Sequence, residues 1–386
     1  MLRLLLFLLI VVFWPAPVFA GEPAPASPEE QVSALDMADL QEFVRQMNNE
    51  TEGAVPHLDF RELVTKLLQG RLEWKPADIL KKLGEYFLKE VVANFTLLGK
   101  LVVLAIISAV LHNLSAAFEK STTNQLSRAV IYLVLMVMAI GSFTLAVNTG
   151  REVVDNMVIF MQSLLPVLLT LLIAVGGITS AAILHPAIFM VISVAATLIK
   201  SVVLPLFFFV AVLGIVSNLS EHFKVSQLAG LLKGIAMTLM GLSSTVFLGL
   251  LAIRGVAGAV GDGVALRTAR FAADAFIPVV GKMFSGAMDT VASSSLLLKN
   301  AVGIAGMLTI IFLIALPLLK IIALAYIYKL AGALIQPVGD HQIADCLDWL
   351  SNSLLLVFAA VATVGLLFFL AITVVIGAGN LTVMMR

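Results

Sequence analysis

The sequence predicts an all-α fold, in which a polytopic helical membrane protein of about 8–10 spans carries a small exported helical region at its N-terminus. Of the 386 residues, 60% are hydrophobic and only 12% are charged, and the mean hydropathy is +1.06. A water-soluble domain carries roughly 25% charged residues. Residues 156–199 contain no Asp, Glu, Lys or Arg, and this stretch is long enough for two bilayer-spanning helices. Any function must therefore be exerted in or across a membrane.

The first 20 residues have the features of a cleaved signal peptide. Arg3 precedes an apolar run of about ten residues, and Val18 and Ala20 occupy the third and first positions before Gly21. We expect cleavage between Ala20 and Gly21. The alternative is an uncleaved signal anchor, although the apolar run is too short to span a bilayer. In either case the chain from Gly21 onward is exported.

Residues 21–94 form a predicted extracytoplasmic acidic helical region. It holds 14 acidic and 8 basic residues, whereas the net charge of the whole chain is +0. The chain has a single cysteine, Cys346, so disulfides cannot stabilise the exported region. A packed core must stabilise it instead.

Two amphipathic helices are predicted within this region. Asp59 and Glu62 form a capping-box-like start to a helix that stops near Gly70, and a second helix begins at Pro76. The first helix offers Phe60, Leu63 and Leu67 as candidate residues for docking an extracytoplasmic partner, as part of the apolar face made by Phe60, Leu63, Val64, Leu67 and Leu68. The alternative is a small helical hairpin that packs only on itself.

Hydropathy predicts the spans and weakly supports an orientation with the N-terminus outside. The first two transmembrane helices fall within residues 95–148. The connections at residues 119–128 and 220–224 carry Lys or Arg, as cytoplasmic connections usually do. The predicted spans are residues 97–114, 129–147, 157–175, 181–198, 202–219, 235–253, a pair within 301–336, and 354–376.

An internal duplication is predicted, with one permease-like repeat at residues 150–253 and another at residues 262–376. Pro166 and Pro278 lie 112 positions apart, as do Pro205 and Pro317. Repeats of multi-helix units are common in transporters and other membrane proteins.

The duplication singles out a polar segment. The apolar residues 157–175 align with residues 271–288, which carry Asp274 and Lys282, with Asp289 just beyond. Charges at membrane depth are costly, so we expect these three residues to line a polar cavity. The alternative is a surface amphipathic helix or an external loop. The glycine run at residues 255–263 just before it favours either close helix packing or a flexible entry.

The sequence offers no chemistry of an enzyme. It contains no phosphate-binding glycine loop ending in Lys-Ser or Lys-Thr, no His-Glu-x-x-His and no Gly-x-Ser-x-Gly. We predict no catalytic, cofactor-binding or metal-binding residues, because the five histidines are scattered. Lysines within apolar runs, including Lys200 and Lys299, are expected mostly to extend towards lipid headgroups, while a minority line a polar path.

Four strings resemble the stage III sporulation protein AE family, and the resemblance covers essentially all of the mature chain. They are residues 58–63 (LDFREL), 98–105 (LGKLVVLA), 276–285 (FIPVVGKMFS) and 294–303 (SSLLLKNAVG).

The resemblance implies a polytopic component of the channel complex between mother cell and forespore. In that family, eight proteins of one operon join a forespore partner across the space between two membranes. The implied role is a specialised secretion channel or feeding tube needed for late sigma-G activity in the forespore. The implied location is the outer forespore membrane, with other membrane and intermembrane-space subunits and the lipid bilayer as partners, and no nucleic acid. The family supplies no catalytic residues.

A stand-alone permease-like secondary transporter of a small solute is the alternative function, for which the repeat and the polar segment would form a midplane site. An intramembrane enzyme is disfavoured by the missing motifs.

Overall fold

The computed structural model describes residues 32–33, 35–50, 59–71, 76–117, 122–219, 225–276, 280–338 and 341–384. Within these residues the secondary structure is helical throughout, with no strand. The helices are α1 (Ala38–Glu50), α2 (Phe60–Leu68), α3 (Pro76–Ala93), α4 (Phe95–Ala117), α5 (Thr122–Ala174), α6 (Ile178–Leu198), a π-helical turn (Ile199–Val203), α7 (Leu204–Leu219), α8 (Ser226–Phe276), α9 (Val280–Ile335), a 3-10 turn (Gln336–Val338) and α10 (His341–Met384).

The predicted fold class is confirmed, but the helices are fewer and longer than hydropathy indicated. Within the part of the chain that the structure describes, five helices are long and apolar enough to cross a membrane, and a sixth candidate is the pair Ala77–Ala93 and Phe95–Ser108, bent by 41°. The predicted spans 129–147 and 157–175 form one helix, α5, because the polar residues between them contain no Pro and only one Gly. A hydropathy minimum therefore did not mark a chain reversal.

The long helices form an antiparallel bundle in which α5, α9 and α10 are central. Antiparallel packing of α9 and α10 places Ser351 against Ala325 and Gly365 against Ile314. We call the half of the bundle that contains the α5–α6 turn the upper half. The half that contains the start of α5 and the connection from α9 to α10 is the lower half, where Tyr132 donates a 2.7 Å hydrogen bond to Gln342.

Helix α2 confirms the predicted start and stop signals. A carboxylate oxygen of Asp59 accepts a 3.0 Å hydrogen bond from the Glu62 amide. After the last turn, Gly70 adopts a φ of 65°, which suits glycine, and the Arg71 amide donates to the Lys66 carbonyl. The second predicted helix begins at Pro76, as expected.

The N-terminal helices pack on the bundle rather than only on each other. Phe43 of α1 and Phe60 of α2 both contact Phe160 of α5, with ring centroids 5.5 and 6.4 Å apart respectively. Farther along the chain, Phe87 of α3 makes an edge contact with Tyr326 of α9 at 6.2 Å. The N-terminal region, which is predicted to be exported, is therefore joined to the long helices through aromatic contacts.

Two groups of predictions are left as predictions. Ala20 and Gly21 lie outside the described residues, and so does the rest of the signal peptide. The boundaries of the two repeats also stay predicted.

Candidate functional site

An ion pair lies halfway along the bundle, between the two apolar halves of the long helices. Asp155 of α5 accepts hydrogen bonds from Lys200 through both carboxylate oxygens, at 2.6 and 2.5 Å. Their side chains are 48% and 37% exposed. Both charges therefore remain accessible from the outside of the bundle while being held in one geometry.

The π-helical turn that carries Lys200 has a local cause. Pro205 follows two residues after the turn and has no amide hydrogen, and its ring excludes an ordinary α-helical approach to the preceding turn. The Leu204 amide instead donates to the carbonyl of Ile199, five residues back. A π turn widens the helix locally, and such turns are frequent at functional sites.

Close packing surrounds this level of the bundle. A Cβ atom at Gly150 would lie 3.0 Å from Val361 of α10 and 3.7 Å from Leu204. Beside it, the Nε atom of Arg151 is buried and has no hydrogen-bond partner among the described residues. We call Arg151, Asp155 and Lys200 the polar belt. It could hold a charged or polar group against the bundle.

A buried charge lies at the top of the upper half. Asp262 of α8 is 1% exposed and accepts hydrogen bonds from the amides of Thr179 and Ser180, at 2.6 and 2.9 Å. These amides belong to the first turn of α6, whose own N-cap residue is Gly177 and offers no side-chain cap. Asp262 thus caps a neighbouring helix, and the positive end of that helix stabilises its carboxylate.

The glycine run in α8 permits this contact and is explained by close helix packing. A Cβ atom at Gly258 would lie 2.8 Å from the Cα of Ser180, and one at Gly261 would lie 3.3 Å from Thr179. At Gly255 the corresponding distance to Val374 of α10 is 2.9 Å. Of the two alternatives for this run, close packing is therefore confirmed.

Lys299 is buried within the upper half. Its side chain is fully enclosed, and its Nζ donates a 2.7 Å hydrogen bond to the carbonyl of Ile376. Gly379 leaves the space for this amine, because a Cβ there would lie 1.9 Å from the Lys299 Nζ. The expectation that this lysine extends to lipid headgroups is wrong, since the amine finds its acceptor inside the bundle.

The predicted cavity-lining residues lie on two consecutive helices, α8 and α9. Asp274 lies near the C-terminal end of α8, and Lys282 and Asp289 lie in the first turns of α9. Their side chains are outside the described part of the structure, so their role as a polar cavity stays a prediction.

The predicted docking residues lie on the chain's own core. Phe60 and Leu63 are 1% and 4% exposed, and Leu67 is partly buried against the same cluster. Docking of a partner through these residues stays a prediction, and it would require α2 to leave Phe160.

Sequence reasoning missed Asp155 and Asp262. Asp155 lies 45 positions from Lys200, and Asp262 lies 82 positions from Ser180. No local spacing connects such partners. The sequence signal that could have identified both residues is a carboxylate next to or between apolar runs. Such a carboxylate requires a partner, wherever the helices place it.

The arrangement is suited to holding charges in place. Within the described ranges no group of three His, Cys, Asp or Glu side chains could hold a metal ion. Asp155 and Lys200 pair with each other, Asp262 pairs with a helix N-terminus, and Lys299 pairs with a backbone carbonyl.

Comparison with known proteins identifies the family. The sequence profile described as stage III sporulation protein AE matches residues 58–379. A protein named Stage III sporulation protein AE from Bacillus subtilis (strain 168) is 42% identical over 366 residues, which cover 95% of this chain and 92% of that protein. No solved structure matches the chain. The resemblance at residues 58–63, 98–105, 276–285 and 294–303 is thus confirmed, and the chain belongs to the stage III sporulation protein AE family.

Proposed function

We propose that this protein is a non-enzymatic, multi-pass membrane component of a sporulation-specific channel between the mother cell and the forespore. In this role it supports late sigma-G activity in the forespore from the outer forespore membrane. Its partners are the other membrane and intermembrane-space subunits of the channel. The observation that carries the proposal is the 42% identity to the stage III sporulation protein along nearly the whole chain.

The structure supports a role in assembly. The central helices α5, α9 and α10 are packed by fully buried apolar side chains such as Leu164, Tyr328 and Val364. The exported helices α1 and α2 place charged residues on their outer faces, where Glu42 pairs with Arg45 and Glu62 pairs with Lys66. A rigid bundle with a charged exported surface suits a subunit that contacts others outside the membrane.

One observation favours the rival function of a secondary transporter. Lys200 and Asp155 form a partly exposed ion pair beside a π turn, and interrupted helices with charged groups form the substrate sites of many transporters. The two functions differ in the cell compartment in which the protein must be expressed and in the proteins that accompany it.

The test is a deletion of the gene in its sporulating host, combined with a forespore reporter for sigma-G. We expect engulfment to be completed while the reporter stays inactive. A wild-type copy expressed in the mother cell should restore the reporter, and the same copy expressed only in the forespore serves as the matched control and should not. A reporter that remains active in the deletion strain would contradict the proposal.

A further inference from the structure

The long helices are too long for one bilayer. The segment Val130–Ala174 has 45 residues and the other four candidate spans have 41 to 46. At about 1.5 Å per residue, 45 residues extend about 68 Å. The hydrocarbon core is about 30 Å thick, so full immersion would require a tilt of about 60°, beyond the usual 0–40°. Only about half of the bundle can therefore lie in hydrocarbon.

The polar belt marks a boundary at half height. Asp155 and Lys200 lie on neighbouring antiparallel helices at the same level, and Arg151 lies one turn below Asp155. Charges are expensive at the centre of a bilayer but are readily accommodated at the headgroup level. The belt thus fits the edge of the hydrocarbon and not its middle.

The lower half has the length of a membrane segment. Helix α4 has 23 residues, about 34 Å, and a connection of four residues joins it to the start of α5. Because this connection is short, α4 runs alongside the lower part of α5, where it meets Val134 and Met138. At its other end, α4 meets the charged helix α3 at the 41° bend. One bilayer thickness therefore separates the start of α5 from that bend.

Near its lower end, the upper half is covered by two helices with charged outer faces, α1 and α2. Phe160 lies about 8 Å above Asp155 along α5 and is buried under α1 and α2. Those helices expose charged pairs, and Arg45 and Glu42 are 72% and 51% exposed. A charged residue at the bilayer centre costs about 2.5–3.5 kcal/mol even on insertion scales, so this level does not lie in hydrocarbon.

One ion pair in the lower half is compatible with this placement. Lys329 pairs with Asp348 across α9 and α10, and Asp348 also accepts a hydrogen bond from Asn352. The pair borders a cavity of about 280 Å³ that also includes Gln336 and His341, next to the connection from α9 to α10. Paired charges next to an aqueous cleft are the form in which such groups occur at membrane depth.

We propose that the bilayer covers only the lower half of the bundle, that the polar belt lies at the extracytoplasmic headgroups, and that the upper half stands outside the membrane. Lipid then contacts α4, the lower part of α5 and α7. The predicted spans at residues 157–175 and 181–198 then do not contact lipid, so their exposed apolar side chains, such as Met190 and Val194, must be covered by protein.

Photolabelling with a hydrophobic diazirine that partitions into hydrocarbon tests this placement on the wild-type chain in native membranes. Trypsin cleaves after Arg151 and Lys200, so it separates the two halves. Residues 129–151 and 201–224 belong to the lower half, and residues 152–200 belong to the upper half. The halves expose equivalent targets, since Leu133 and Val137 are 59% and 71% exposed and Met190 and Val194 are 64% and 61% exposed.

We expect residues 129–151 and 201–224 to be labelled at least tenfold more than residues 152–200. Comparable labelling of both halves, or stronger labelling of residues 152–200, would overturn the proposal. Digestion before photolysis gives the matched control for the reactivity of each peptide. The result does not depend on the proposed channel, because it concerns only the contact between this chain and lipid.

Discussion

At the scale of single residues, the polar groups in this protein acquire partners that are distant in the sequence. Lys200 meets Asp155, Lys299 meets the Ile376 carbonyl, and Asp262 caps α6. The sequence pattern located the lysines, because a charge within an apolar run is conspicuous. It could not assign their partners, because each partner depends on how the long helices are aligned against each other.

Charge reversal tests the ion pair of the polar belt. In Asp155→Lys, two cations would lie within about 4 Å, and such a pair repels by about 4 kcal/mol at an effective dielectric constant near 20. We expect Asp155→Lys and Lys200→Asp each to lower the thermal midpoint of the purified protein, and the double variant to restore most of the loss.

The control for this experiment is Glu152→Lys, which reverses an exposed carboxylate one turn away. It should leave the midpoint nearly unchanged. If the double variant is as unstable as the two single variants combined, Asp155 and Lys200 do not form the pair described above.

At the scale of elements, caps and stops were predictable where they are local. Asp59, Gly70 and Pro76 each act at a helix end, and their effect on the backbone does not depend on the rest of the fold. Chain reversals within the membrane domain were less predictable. Pro166 lies inside α5 without ending it, since neighbouring helices stabilise the continuous bundle.

The packing of α8 against α6 makes a specific prediction about glycine. Gly258→Ala would place a methyl group 2.8 Å from the Ser180 backbone, so α8 would have to move and the Asp262 cap would weaken. We expect a loss of about 1–3 kcal/mol in the free energy of unfolding. Denaturation of the purified protein in detergent measures this loss.

Gly249→Ala provides the matched control in the same helix, because no atom lies within 4 Å of the added methyl group. Alanine favours a helix over glycine by about 1 kcal/mol, so this variant should be as stable as the wild type or more stable. Equal losses in both variants would contradict the close packing at Gly258.

The polar segment at residues 271–288 retains its own prediction. If it lines a cavity, cysteines introduced along it should react with a water-soluble maleimide at every third or fourth position. Cys346 is fully buried, and the unmodified chain gives the background. Uniform labelling along the segment would indicate an exposed loop and would count against Asp274, Lys282 and Asp289 as cavity-lining residues.

At the scale of the whole molecule, the fold class and family could be predicted from the sequence because they depend on composition and on extended strings. The number of helices could not, because hydropathy measures local apolarity and the bundle uses helices about twice as long as a bilayer is thick. The attachment of α1 and α2 at Phe160 could not be predicted from the sequence either, since an amphipathic face does not specify what covers it.

Processing at the N-terminus is a prediction for the mature molecule. Ala20 and Val18 meet the requirement of signal peptidase for small residues, so the membrane-inserted protein should begin at Gly21. Amino-terminal sequencing of the purified protein measures this directly. A chain that begins at Met1 would rule out cleavage and would leave an N-terminal anchor in its place.

We propose that this protein works as a subunit of a channel assembly and not alone. The most direct measurement is purification from sporulating cells after mild crosslinking, followed by identification of the proteins that accompany it. We expect several membrane and intermembrane-space proteins of the sporulation channel at reproducible ratios, and their absence when the same chain is purified from vegetative cells. Recovery of the chain alone from sporulating membranes, with the crosslinker shown to act on a known complex, would rule out the channel assembly and favour the transporter.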